Sequence, residues 1–115
     1  MDHFSAALAI KALDGLSARA EVTASNIANA GTHNYRPLTV SFEDALRGAA
    51  QTGTDAIAAV EPQRHHVSKG LLGEELRLDQ ELATASTTAT RYAALIEILN
   101  RRLELERVAI SGGKQ

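Results

Sequence analysis

The feature that most constrains the fold is a regular repeat of apolar residues in the last third of the chain. From Leu78 onward, positions spaced alternately four and three residues apart are apolar, with Glu106 as the charged exception. An average spacing of 3.5 residues predicts a long helix with a coiled-coil seam along one side. The members of this heptad seam are Leu78, Leu82, Ala85, Ala89, Tyr92, Ile96, Leu99, Leu103, Glu106 and Ile110.

Three more apolar residues, Leu95, Ile98 and Leu105, lie beside the seam and widen it. A wide apolar stripe predicts more than one packing partner. At ~1.5 Å per residue the helix would be roughly 50 Å long, too long to bury its stripe inside a small compact domain. We therefore predict that it packs against the N-terminal part of the chain and against other chains.

Residues 1–31 carry a second helical pattern, which defines the first of three predicted segments. Gly15 falls inside this pattern, although glycine lowers helix stability by about 1 kcal/mol relative to alanine. Gly31 predicts the end of the helix through a left-handed cap. The residues of the stripe are Phe4, Leu8, Ala12, Leu16, Ala20, Thr23, Ile27 and Ala30.

The middle segment, residues 32–75, contains both prolines and no long periodic pattern. Apolar and polar residues alternate over 38–42, which predicts a short strand, and residues 42–50 favour one or two helical turns. We predict an extended, partly disordered segment with room for a short β-hairpin. The fold prediction is all-α: helices in 1–31 and 76–115 pair as an antiparallel coiled coil and form one helical-hairpin domain.

Composition excludes several functional classes. The net charge is −2 and the isoelectric point is about 6.1, so no basic footprint for nucleic acid exists. The absence of cysteine excludes disulfides and thiolate metal sites. No apolar run reaches the ~20 residues of a membrane span. Arginines near the C-terminus alternate with glutamates, which favours a salt-bridged helix surface.

The sequence contains no motif that predicts catalysis. HExxH, GxSxG and a phosphate-binding loop are all missing. Asp79 and Glu81 stand where acidic residues complement a helix dipole. We predict no enzyme activity, cofactor, metal or small-molecule substrate. The alternative is an enzyme or metal protein centred on His65 and His66, although adjacent side chains point in different directions.

Two asparagines, Asn26 and Asn29, flank Ile27 near the end of the first helix. Asparagine is a poor helix former because its side chain competes for backbone hydrogen bonds. These amides can bond a turn or a neighbouring chain. The alternative is that both simply cap the helix.

Residues 26–35, NIANAGTHNY, resemble the NIAN-x-x-T-x-G-Y signature of bacterial flagellar axial proteins, which pair such a helix with a C-terminal heptad helix. The resemblance covers residues 4–47 and 76–113. It departs at His33 and Asn34, where the family usually has proline and glycine. Asn34 can still adopt the left-handed conformation of that turn.

The resemblance implies a structural subunit of the flagellar basal-body rod, in a helical tube that transmits torque across the periplasm. It implies flagellar type III export without a cleaved signal peptide. The implied partners are other rod proteins, copies of the same chain and an export-gate adaptor at the base. A helical-hairpin adaptor or export chaperone, folding as a discrete dimer, is the alternative. The predicted assembly interface comprises Asn26, Ile27, Asn29, Thr32, Tyr35, Leu82, Tyr92, Ile96, Leu99, Leu103 and Ile110.

Overall fold

The computed structural model describes residues 2–67 and 78–112 of the chain. These residues form two long helices and, between them, two short helices and two strands. The order is α1 (His3–Ala28), β1 (Leu38–Ser41), α2 (Glu43–Ala50), α3 (Thr54–Ala59), β2 (Gln63–His66) and α4 (Leu78–Gly112).

Helix α1 begins and ends at residues suited to those positions. The Asp2 carboxylate accepts a hydrogen bond from the Ser5 backbone N–H at 2.6 Å, and this bond lowers the pKa of Asp2. At the other end, the Asn29 N–H donates to Ser25 O at 3.0 Å. The prediction of a left-handed cap at Gly31 is wrong, because α1 ends at Ala28 with Asn29 as its C-cap and Gly31 has no positive φ. The left-handed conformation expected of Asn34 is confirmed by its φ of 62°.

The two long helices lie side by side and run in opposite directions. Asn26, near the end of α1, bonds to Glu81 near the beginning of α4. Leu16, earlier in α1, and Leu95, later in α4, line the same groove, so the two helices run in opposite directions. These contacts support the predicted antiparallel pairing of the terminal helices. The finer prediction, a coiled coil, stays a prediction. With 35 residues against 26, α4 is about 13 Å longer than α1 at ~1.5 Å per residue.

The helical turns predicted over 42–50 are confirmed by α2, whereas the prediction of an extended segment is wrong for α3 (Thr54–Ala59). These helices bury Leu46 and Ile57 in one apolar cluster with α1, so packing decides the structure of a segment whose own pattern is weak. The two strands pair antiparallel, with Leu38 opposite His66 and Ser41 opposite Gln63, but both short helices lie between them in sequence. Residues 68–75 of the predicted segment lie outside the described residues.

The core lies between the middle of α1 and the compact unit formed by β1, α2 and α3. The Phe42 ring packs directly on Gly15, where a Cβ would overlap it. Helix α4 contributes Leu95 only at the margin of this core. Among the helices of the described residues, none combines the length and apolarity needed to cross a membrane. The buried apolar residues are Leu16, Ala18, Val22, Val40, Phe42, Leu46, Ile57 and Val60.

Candidate assembly site

Asn26 is the centre of a hydrogen-bond network that joins four parts of the chain. Its side chain is 1% exposed. The amide nitrogen donates to Leu38 O at 2.8 Å and to Glu81 Oε2 at 3.2 Å, and the amide oxygen accepts from the Tyr35 hydroxyl at 2.9 Å and from Leu38 N at 3.1 Å. All four hydrogen-bonding positions of the amide are therefore satisfied within the chain.

Asn26 and Arg19 together cover the outer edge of β1. Leu38 directs both its N–H and its C=O to Asn26, and the C=O of Val40 accepts from Arg19 Nη2 at 2.7 Å. Arg19 and Asn26 are seven residues, about two helical turns, apart and so lie on one side of α1. Side chains of α1 thus occupy the backbone groups of β1 that face away from β2.

Arg19 also holds the beginning of α2 in place. Its guanidinium makes two hydrogen bonds of 2.7 Å to the Glu43 carboxylate and lies 4.9 Å from the centre of the Phe42 ring. The hydrogen bonds from Arg19 are the main cause that lowers the pKa of Glu43 to about 2. This paired charge connects α1, β1 and α2 at one point.

The turn after α1 is closed by bonds among polar side chains. The Asn29 amide donates to Ser25 O at 2.9 Å, and the Thr32 hydroxyl donates to Asn29 Oδ1 at 3.1 Å. The Tyr35 hydroxyl, besides binding Asn26, lies 3.3 Å from Ser25 Oγ. The turn therefore carries the chain from α1 back to β1 and returns Tyr35 to the Asn26 network.

The structure brings one group of the predicted interface residues together at this turn: Asn26, Asn29, Thr32 and Tyr35. Ile27 is next to them and half-buried. The capping alternative holds for Asn29, which is the C-cap of α1, and not for Asn26, whose bonds reach β1 and α4. The shared role of this group within the chain is to fix the turn; a role between chains stays a prediction.

The predicted residues on α4 lie apart from this group, mainly on an exposed face. Thr88 is the buried residue of the helix, and it lies on the line that faces α1 together with Glu81, Thr84 and Leu95. Each of these four positions comes one residue before a residue of the heptad seam. The line that faces α1 is therefore rotated by about 100° around α4 from the seam. Leu99 is half-buried, while the more exposed seam residues are Leu82, Tyr92, Ile96, Leu103 and Ile110.

His65 and His66 stand on the exposed strand β2. His65 Nε2 is 2.8 Å from Ser41 Oγ, which is a contact between paired strands. Within residues 2–67 and 78–112, no group of three or more His, Asp or Glu side chains is placed to hold a metal ion.

Sequence reasoning missed the residues that complete the Asn26 network. From its place in the sequence, Glu81 is predicted only to complement the helix dipole. Arg19 is not among the predicted site residues, although it shares a helix face with Asn26. The seven-residue spacing on α1 was the available signal for Arg19. No local signal connects Glu81 with Asn26, because they are 55 residues apart in the chain.

Comparison with known proteins gives one family. Residues 8–36 match the family model described as "Flagella basal body rod protein". The matched region contains most of α1 and the turn through Arg36, including all the turn residues that form the Asn26 network. A search of curated proteins finds no match to the chain. Over residues 8–36, this chain is therefore similar to flagella basal body rod proteins.

Proposed function

We propose that this chain is a structural subunit of the bacterial flagellar basal-body rod, of the proximal-rod type B. The family match over residues 8–36 supports the rod assignment. The small middle segment favours a proximal-rod subunit, and the sibling type C, which shares both terminal patterns, is the close alternative. In this proposal, copies form a helical tube that transmits torque across the periplasm after export by the flagellar type III route.

The exposure of the α4 seam is the observation that carries the proposal. Leu82 is 53% exposed and Leu103 is 58% exposed, and other large apolar residues accompany them along the helix. Contiguous exposed apolar surface marks sites of protein association. Burial of one leucine side chain contributes about 1.5–3 kcal/mol, so contact with neighbouring subunits would stabilise α4 substantially.

The proposed partners are other rod proteins, further copies of this chain and an export-gate adaptor at the base of the rod. The same exposed seam also supports a second candidate, a helical-hairpin adaptor or export chaperone. In that case two seams would pair into a discrete dimer that stays outside the rod. The rod subunit and the adaptor or chaperone therefore differ in whether the chain is found in the rod or outside it.

Quantitative mass spectrometry of purified basal bodies, with peptides of this chain as standards, tests the proposal. We expect a fixed number of copies per particle, retained after the hook and filament are removed. Leu103→Gln should lower this number at least several-fold. Thr87→Gln, an exposed substitution on another side of α4, is the matched control and should leave it unchanged.

Recovery of the other rod proteins without this chain would contradict the rod assignment. A soluble dimer of the wild-type chain in the same cells would then favour the adaptor or chaperone. Equal loss with Leu103→Gln and Thr87→Gln would instead show that the seam has no special role in assembly.

A further inference from the structure

A shallow apolar groove lies where the middle of α4 passes α1 and the beginning of α2. Its volume is about 330 Å³. Its apolar walls come from three different elements of the chain, with Arg91 at the rim. The residues that form it are Leu16, Phe42, Glu43, Arg91, Ala94, Leu95 and Ile98. The Glu43 carboxylate is already paired with Arg19 of the same chain.

The same face of α4 carries, further along, two strongly exposed apolar residues. Leu105 is 63% exposed and Val108 is 67% exposed. Leu105 follows Ile98 by seven residues and Val108 follows Ala94 by fourteen, so all four lie along one side of the helix. Because α4 is continuous, position 108 lies about 21 Å from position 94 and cannot reach the groove of its own chain.

We propose that this groove receives Leu105 and Val108 from a second copy of the chain in a head-to-tail contact. The inference rests on the proposed function, because it names one contact between neighbouring subunits. A groove and an apolar end at different places on one chain form a heterologous interface, which produces an open filament when the rotation does not close. The pair therefore suits repeated addition of subunits.

Charge favours the head-to-tail arrangement. Arg91 at the groove and Glu104 beside Leu105 form no ion pair with another side chain in residues 2–67 or 78–112, and the contact would bring them together. Arg101 lies on α4 between the groove and the apolar end, where its guanidinium pairs with Glu97 of the same chain at 3.2 Å. A two-fold pairing of two α4 helices would place Arg101 of both copies side by side, which like-charge repulsion opposes even though Glu97 weakens it.

Disulfide cross-linking tests the contact cleanly because the 115-residue chain has no cysteine. Purified Ala94→Cys and Val108→Cys variants are mixed and oxidised, both in solution over a concentration series and, where the variants are incorporated, in basal bodies. We expect cross-linked heterodimers at least ten-fold above those from Val108→Cys alone. The double variant should give a ladder of covalent oligomers, because a disulfide needs Cα atoms within about 7 Å and positions 94 and 108 of one chain are too far apart.

Ala93→Cys is the matched control, since position 93 is an exposed alanine next to position 94 but about 100° away around α4. Equal cross-linking of Val108→Cys to Ala93→Cys and to Ala94→Cys would overturn the proposed contact. A double variant that stops at covalent dimers would overturn it in favour of a closed two-fold pair. Absence of the 94–108 cross-link in both settings would also overturn it.

The test separates this inference from the rod assignment. A wild-type chain present in basal bodies with no 94–108 cross-link would refute only the contact. A chain missing from basal bodies that still forms the oligomer ladder would refute only the rod assignment.

Discussion

Asn26 and Leu38 bond to each other reciprocally: the Asn26 amide donates to Leu38 O at 2.8 Å and accepts from Leu38 N at 3.1 Å. Residues of neighbouring antiparallel strands exchange hydrogen bonds in the same way. A helix side chain thus occupies the place of a third strand beside β1. This relationship explains why a poor helix former stands in the buried part of α1.

Asn26→Asp should destabilise the chain by about 3 kcal/mol or more, because it buries a charge without a partner. The substitution keeps the size of the side chain but replaces two donors with an acceptor. The new oxygen would face Leu38 O and Glu81, which both accept from Asn26 in the wild type. Chemical denaturation followed by circular dichroism measures the change.

The control for this prediction is Asn29→Asp, at the half-buried C-cap of α1. It loses one bond to Ser25 O, and we expect a cost of about 1 kcal/mol or less. Equal effects at both positions would show that the two asparagines act only as caps. Burial raises the pKa of the carboxyl introduced at position 26, so the deficit of that variant should shrink as the pH falls toward 4.

Gly15→Ala should destabilise the chain even though alanine is the better helix former. The gain in helix propensity is about 1 kcal/mol. The added methyl would overlap the Phe42 ring, which is held between α1 and Arg19, and overpacking of this kind costs about 1–3 kcal/mol. The net loss should appear as a lower thermal midpoint.

Gly48→Ala in α2 separates the two contributions to this result. A Cβ at position 48 would contact nothing within 4 Å, so only the propensity gain applies. We expect this variant to be more stable than the wild type by up to about 1 kcal/mol. If Gly15→Ala were stabilised equally, Phe42 could not be packed on Gly15.

The Arg19–Glu43 pair predicts an acid-dependent loss of stability. The pKa of Glu43 is lowered from 4.5 to about 2, so the pair contributes in full above pH 4.5 and its contribution is lost as the pH falls toward 2. Glu43→Gln should therefore be less stable than the wild type near pH 7, with the gap closing near pH 2. Thermal unfolding across this pH range measures the gap.

Asp44→Asn is the matched control, because Asp44 lies next to Glu43 in the first turn of α2. Asp44 and its partner Arg47 are both highly exposed. Exposed pairs contribute little, so its stability relative to the wild type should change by less than about 1 kcal/mol. A gap for Glu43→Gln that stays constant with pH would rule out the carboxylate as its cause.

The two long helices could be predicted from sequence because their signals are local and repeated. The spacing around Leu82, Ile96 and Leu103 predicts a helix whatever the rest of the chain does. The rotation of α4 against α1 could not be read in the same way. The line through Glu81 and Thr88 faces α1, where Glu81 accepts a hydrogen bond from the buried Asn26. That contact joins residues far apart in the sequence, so the local pattern does not indicate which side of α4 faces α1.

The middle segment shows the opposite balance between local pattern and packing. The strand at 38–42 was visible in its alternation, whereas α3 has only a weak apolar pattern around Ile57. Ile57 is nevertheless fully buried, because α1, α2 and β1 together form the core into which it packs. From sequence alone, Gly15 is predicted only to lower the stability of α1. Nothing in the local pattern indicates that the Phe42 ring packs on it.

The left-handed turn at Asn34 leads to the last prediction. Its φ is 62°, a conformation that costs most residues roughly 1–2 kcal/mol but not glycine, and asparagine less than most. Asn34→Ala should therefore lower the free energy of unfolding by about 1 kcal/mol, whereas Asn34→Gly should change it little or raise it slightly. Denaturant unfolding of both variants, with His33→Ala as the neighbouring control, measures this order. If alanine and glycine were equivalent at position 34, the turn would not require left-handed backbone. The chain would then have to follow a different path from α1 to Tyr35 and the Asn26 network than the one described above.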